Sequence, residues 1–266
     1  MTMLPGTGSH RDHQGPRTRL PLMTEGAMLL RLLAIQGSWN YETLLGNGIG
    51  FCIEPALRLL PGGVHTPRFK DAIARQSRYF NAHPYLAAVA VGALARAELD
   101  GERPAKIERF RTALAGPLGS VGDRLIWASW LPFCSLVALA VYGAGGGVFA
   151  VMATFLGLYN AGHLALRAWG LRTGWTRGMD VARSLANPVL RRGPQVLAPL
   201  AAFAAGFGVP LAMLRVMDSS RVLVGVVLLG ATIGALLVVR LQHRVEGWRL
   251  ALVAYVGVVL YAVARG

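Results

Sequence analysis

The chain has 266 residues, 54% of them hydrophobic and 15% charged, with 27 Lys and Arg against 13 Asp and Glu for a net charge of +14. The charged share lies well below the roughly 25% of soluble domains, which excludes an ordinary soluble globule and indicates a bilayer as solvent. The basic residues are not interleaved with aromatics in one compact module, which argues against nucleic-acid binding as the reason for a pI near 11.1.

The first 21 residues hold Pro, Gly, His and Arg but no apolar core of signal-peptide length, and are expected to form a disordered cytoplasmic tail. Residues 22–124 alternate short apolar stretches (Ala27–Ile35, Leu44–Ile53, Leu86–Leu94) with charged ones. Each stretch is too short to span a bilayer, so they read as amphipathic or re-entrant helices, which sit at membrane depth only where protein or a water-filled cavity covers the broken backbone. From residue 125 the pattern changes. Uncharged apolar runs at 125–142, 143–166, 193–214 and 222–239, with a shorter one at 250–264, predict about five transmembrane helices. A charged amphipathic insert, 167–192, interrupts them. The expected fold is therefore an all-α integral membrane protein, with residues 22–266 forming one membrane domain.

Crossing once per run, with the uncharged 142–148 turn outside, the chain would place Arg215, Arg221 and Arg265 outside and every other Lys and Arg on the cytoplasmic side. That asymmetry is the positive-inside pattern, and it predicts a cytoplasmic N-terminus and an external C-terminus. Cys52 and Cys134 are far apart, in apolar surroundings and without metal-ligand spacing, so both read as packing residues. No cofactor or metal motif is present, and no nucleophile motif of an intramembrane enzyme. Gly46 and Gly50 of the GNGIGF stretch lack a preceding strand and read as a helix-packing face rather than a dinucleotide loop.

Four local patterns carry the chemistry. Gln36-Gly-Ser-Trp-Asn-Tyr-Glu42 combines the aromatic Trp39 with the amide of Asn40 and the carboxylate of Glu42, which is equipment for a sugar's apolar face and hydroxyls; the same residues also suit a helix start, with Ser38 or Asn40 as cap. In Arg78-Tyr-Phe-Asn-Ala-His-Pro-Tyr85, Pro84 breaks a helix and leaves Asn81 and His83 beside freed backbone groups. Gly116-Pro-Leu-Gly-Ser-Val-Gly-Asp123 ends in an acid just before an apolar run. An ionisable group at membrane depth costs at least about 2.5–3.5 kcal/mol, so Asp123 is either a functional group held by a Gly/Pro-broken turn or a cap paired with a cation such as Arg124. Finally Tyr159-Asn160 and His163, followed by Gly170, Gly174 and Gly178, place hydrogen-bonding groups and a close-packing face along one span.

In this order and spacing, IQGSWNYE, RYFNAHPY, AGPLGSVGDRLIWASWLP and YNAGHLALRAWGLRTGWTRGMD resemble the IID membrane component of the mannose-family (mannose/fructose/sorbose) phosphoenolpyruvate-dependent sugar phosphotransferase system. The resemblance runs from about residue 25 to 190. It implies a non-phosphorylated subunit that pairs with a IIC membrane component, usually as a trimer of IIC–IID pairs. Soluble IIA and IIB proteins then pass a phosphoryl group through histidines to the incoming hexose. Under that resemblance Trp39, Asn40, Glu42, Asn81 and Asp123 would contact the sugar or complete its pocket, while Pro84, Gly116, Pro117, Gly119 and Gly122 would shape turns or gate. Two functional readings stay open: a transport subunit, or a membrane scaffold or regulatory paralogue that keeps the fold without moving sugar.

Overall fold

A computed structural model describes residues 19–216 and six isolated positions between 225 and 236. The expected span at 250–264, most of that at 222–239 and nearly all of the tail lie outside the described residues. Among the described residues there are eight α-helices, a π-helical and a 3-10 segment, and no strand beyond two isolated bridges.

Helix α1 (Leu22–Leu32) starts after Pro21, with Glu25 in its first turn and Arg31 in its last, both favourable to the helix dipole, and buries Met28 and Leu32. Helix α2 (Gly46–Leu57) buries nine of its 12 residues, Gly46 and Gly50 among them. Here the expected packing face is found. Helix α3 (Pro67–Gln76) has the start signals of Pro at its first position and Thr66 Oγ1 accepting from the Phe69 N–H at 3.3 Å. It lies in one of the charged stretches between the apolar ones, and only Phe69, Ala72 and Gln76 are buried.

Helix α4 (Ala87–Leu99) is apolar but for Arg96 and Glu98, and 11 of its 13 residues are buried. It carries one acid, Glu98, which takes two bonds from Arg75 (3.0 and 2.8 Å) and one from Gln76 Nε2 (2.7 Å). Arg111 closes the same end of α3: its guanidinium donates to the carbonyls of Gln76, Arg78 and Tyr79, the groups a helix C-terminus leaves unpaired, and lies over the Phe80 ring.

Helix α5 (Pro104–Gly122) runs straight through the Gly116–Gly122 block. This corrects the expectation of a Gly/Pro-broken turn there. Leu114 and Leu118 anchor the helix in the core on both sides of Pro117, and a proline removes a single intrahelical donor, so the helix continues and its irregularity appears just beyond. Asp123–Trp130 is π-helical, with the Leu131 N–H bonded to Ile126 O, and leads into α6 (Leu131–Gly143).

Gly145, with φ of 99°, allows the tight turn into α7 (Val148–Arg177). The expected 167–192 insert is not a separate amphipathic element: α7 continues to Arg177, a 3-10 segment covers Gly178–Ala186, and α8 (Pro188–Val216) follows. The reason is a close seam against α4. A methyl group on Gly174 would fall 2.2 Å from Val89 O, and one on Gly92 would fall 2.2 Å from Leu171 O, so bare backbones meet there. Two runs, Pro104–Gly143 and Val148–Val216, are long and apolar enough to cross a membrane.

The described residues form two compact units, one of residues 19–134 with Leu156–Leu200, the other of Ser135–Phe155 with the described residues from Ala201. In the second, Arg215 Nη1 donates to Tyr142 O (2.5 Å) and Gly146 O (2.8 Å), tying α8 to the end of α6. The first holds the main core and all four sequence patterns. Cys52 and Cys134 are free and fully buried, as packing residues are, and burial pushes the Cys52 thiol up to about 12.

Candidate functional site

Residues 77–85, which join α3 to α4, are where the four sequence patterns meet. The first pattern docks through backbone bonds: Leu45 N–H to Phe80 O (3.0 Å) and Phe80 N–H to Thr43 O (3.1 Å). Leu44, between them, is held at φ 49°, a left-handed conformation that costs a non-glycine residue about 1 kcal/mol or more and survives only where surroundings impose it. Gly46 completes the junction, since a methyl group there would lie 2.0 Å from Arg78 O.

The third pattern meets the same segment from α5. A methyl group on Gly122 would sit 2.2 Å from His83 Cβ, and one on Gly119 would reach Ala82 Cα at 3.8 Å. Gly122 therefore lets the His83 segment lie against a continuous helix, while a side chain at Gly119 would meet only ordinary contact. The π-helical stretch beyond them turns Trp127 to within 5.0 Å of the His83 ring and Trp130 onto Gly162 of α7.

The fourth pattern supplies a buried polar array. Tyr85 and Tyr159 share a hydroxyl hydrogen bond of 2.7 Å; Tyr85 stacks on His163 with centroids 4.9 Å apart and has the Arg167 guanidinium over its ring, 4.4 Å from the centroid. Arginine has no acceptor, so the 2.8 Å bond from Arg167 Nη1 fixes His163 Nδ1 as acceptor and places the ring proton on Nε2, which donates to Asn160 Oδ1 at 2.7 Å. The Asn160 amide then donates to Leu156 O at 2.6 Å. Protons thus point one way along α7, from Arg167 to Leu156. Arg167 is buried with no carboxylate partner among the described residues, and its Nε is unbonded. His83 is also buried: its Nδ1 accepts from the Tyr85 N–H at 3.2 Å, leaving Nε2 as an unpaired donor. Burial, and then the Arg167 charge, push His83 down to about 4, so its ring is neutral at physiological pH.

The residues singled out from sequence fall into two groups. Asn40 is consumed by its own turn: Oδ1 accepts from the N–H groups of Glu42 and Thr43, both at 2.9 Å, and Nδ2 donates to Thr43 Oγ1 and Ser38 O. This is the capping role that the sequence also allowed, though at a turn. Glu42, Asn81 and Asp123 have exposed side chains that make no hydrogen bond or ion pair among the described residues; Arg124 bonds Ser120 O instead of Asp123. Exposed Trp39 packs edge-on against Tyr41, with centroids 4.9 Å apart. Sequence reasoning missed Tyr85, Arg167 and Trp127 as a group. The His163-to-Arg167 spacing of four within an apolar span was the available signal.

The sequence family described as the PTS system mannose/fructose/sorbose family IID component matches residues 24–208. The chain is 29% identical over 210 residues to the PTS system mannose-specific EIID component of Escherichia coli (strain K12), covering 73% of this chain and 72% of that protein. It is 28% identical over 212 residues to the fructose permease IID component of Bacillus subtilis (strain 168), covering 73% and 74%. A chain from the cryo-EM structure of the mannose transporter ManYZ in complex with microcin E492 is 25% identical and superposes with a TM-score of 0.52 over 92% of this chain and 97% of that one. A further solved membrane protein shares the fold at 23% identity, with a TM-score of 0.65 and the same coverage.

Proposed function

Because this chain belongs to the mannose/fructose/sorbose family of PTS IID components, we propose that it is the IID subunit of a hexose permease in a bacterial cytoplasmic membrane. It pairs there with a IIC protein to form the translocation pathway, in a trimer of such pairs, and IIB phosphorylates the sugar as it enters. The chain itself carries no phosphoryl group. Its N-terminus is cytoplasmic and its C-terminus external, following the distribution of arginines.

The observation that carries this reading is the convergence of the four patterns on residues 77–85, with the side chains of Glu42, Asn81 and Asp123 exposed and unbonded among the described residues and Trp39 and Trp127 exposed as well. Carboxylate and amide groups accept from and donate to sugar hydroxyls, and indole faces cover the apolar side of a pyranose. Asn40 contributes by fixing the turn from which Glu42 projects. His83, held neutral, lies buried beneath this segment with its Nε2 donor unpaired among the described residues. Gly122 keeps the His83 segment seated, which gives it a positioning role.

The test is the initial rate of uptake of labelled mannose, fructose and sorbose by cells expressing this chain with its IIC and IIAB partners. Glu42→Gln, Asn81→Ala and Asp123→Asn should each lower uptake tenfold or more while the chain still copurifies with IIC. Unchanged uptake in all three variants overturns the assignment of these residues. Complex formation without uptake by the wild type favours a scaffold.

A further inference from the structure

Where the 3-10 segment gives way to α8, two concavities lie side by side. One, of about 660 Å³, is lined by apolar groups including Leu125, Trp130, Leu166, Trp169 and Val196. The other, of about 600 Å³, is lined by Arg124, Arg191, Arg192 and Gln195. Pro188, Leu190 and Arg192 border both, and neither contains a single Asp or Glu. Both volumes are in the range of small-molecule sites.

The arginines are available. Elsewhere Arg31, Arg58, Arg75, Arg78, Arg96 and Arg172 each pair with a carboxylate. Arg191 and Arg192 make no side-chain bond among the described residues, and Arg124 spends only Nε, on Ser120 O at 3.2 Å. Their forked donors match phosphate geometry. The start of α8 at Pro188 adds the positive end of a helix dipole to the same place.

We infer that the arginine-lined pocket and the adjoining apolar groove together hold one anionic phospholipid, its phosphate on Arg124, Arg191 and Arg192 and an acyl chain along Trp130 and Trp169. Charge complementarity selects the headgroup: three arginines without a carboxylate partner among the described residues, in a lining free of Asp and Glu, favour an anion, and basic pockets beside membrane helices take anionic lipid headgroups. The groove selects a lipid over a small soluble phosphate, because an acyl chain can fill an apolar space of about 660 Å³ that a small anion leaves largely empty. Trp130 and Trp169 at the junction suit the headgroup level, where indoles concentrate. The lining shares no residue with those assigned to sugar, and the inference does not depend on that assignment.

The probe is a pair of fluorescent phospholipids with identical acyl chains, one phosphatidylglycerol and one phosphatidylcholine, titrated onto the full chain in detergent. Saturable binding with at least tenfold preference for phosphatidylglycerol is expected. Arg191→Gln with Arg192→Gln should remove the preference, and Arg109→Gln with Arg183→Gln, at exposed sites elsewhere, should leave it intact. Each single Gln variant, read by the same titration, should show a partial loss. Equal binding of the two lipids overturns the proposal, as does full displacement by millimolar inorganic phosphate, which would make the ligand a free anion. Loss of the probe from the complex with IIC would also overturn it, since the groove would then be a protein interface.

Discussion

The seam between α7 and α4 can be tested by adding one carbon atom. In Gly174→Ala the new methyl carbon would stand 2.2 Å from Val89 O and 2.8 Å from Ala93 N, both backbone atoms of a buried helix. Ordinary contact begins near 3.4 Å, so α7 must retreat by about 1 Å along a seam that Gly92, Gly170 and Leu171 share. Overpacking of this kind costs about 1–3 kcal/mol, offset in part by the helix preference of Ala over Gly, itself worth about 1 kcal/mol. Gly157 in the same helix is the control: nothing lies within 4 Å of its added methyl group, so Gly157→Ala should be neutral or slightly stabilising. The assay is the melting temperature of the purified chain in detergent, followed by size-exclusion of the soluble fraction. At about 2–4 °C per kcal/mol for a chain of this size, Gly174→Ala should melt several degrees below wild type and Gly157→Ala at or above it. Equal melting temperatures for the two variants would refute the close seam.

Glu98→Gln should be among the most destabilising substitutions, because it leaves the Arg75 charge uncompensated in a buried position; about 3–5 kcal/mol is expected, visible as loss of monodisperse protein, and a shift under 1 °C would contradict it. His83, whose folded-state value is depressed to about 4, binds a proton more readily when unfolded, so its contribution to stability is present above pH 6.5 and is lost as pH falls toward 4. Between pH 6.5 and 5 the wild type should therefore lose more stability than His83→Phe, and parallel melting curves would exclude that role. Leu44→Val should be more disruptive than Leu44→Gly, since a β-branched side chain resists the φ of 49° that this position requires; the reverse order, by melting temperature, would show that the strain is not imposed.

Much of the site's composition was legible in the sequence, and much of its geometry was not. The motif residues stood out because their chemistry is costly in an apolar chain, and the glycines at 170 and 174 announced a close approach by their spacing of four. What sequence patterning mistook was backbone continuity. Gly and Pro at 116–122 read as a break, yet Leu114 and Leu118 anchor the helix across it, and the deviation emerges as the π-helical stretch at 123–130. Residues 167–177 read as an insert because Arg167, Arg172 and Arg177 are charged. They remain helical because Arg167 is absorbed by Tyr85 and His163, and Arg172 pairs with Glu25 of α1 at 2.6 Å. Such partners lie far along the chain, and local periodicity carries no trace of them. Asn40 gives the opposite lesson: its competence for sugar and its competence for capping were both legible, and the turn uses all of its hydrogen-bonding capacity.

The most direct measurement is equilibrium binding of radiolabelled mannose, with fructose and sorbose as competitors, to this chain copurified with its IIC partner, comparing wild type with Asp123→Asn and Glu42→Gln. Saturable binding that weakens at least tenfold in the variants, with the complex intact, is the predicted result. A stable, monodisperse complex that binds no hexose would contradict the account.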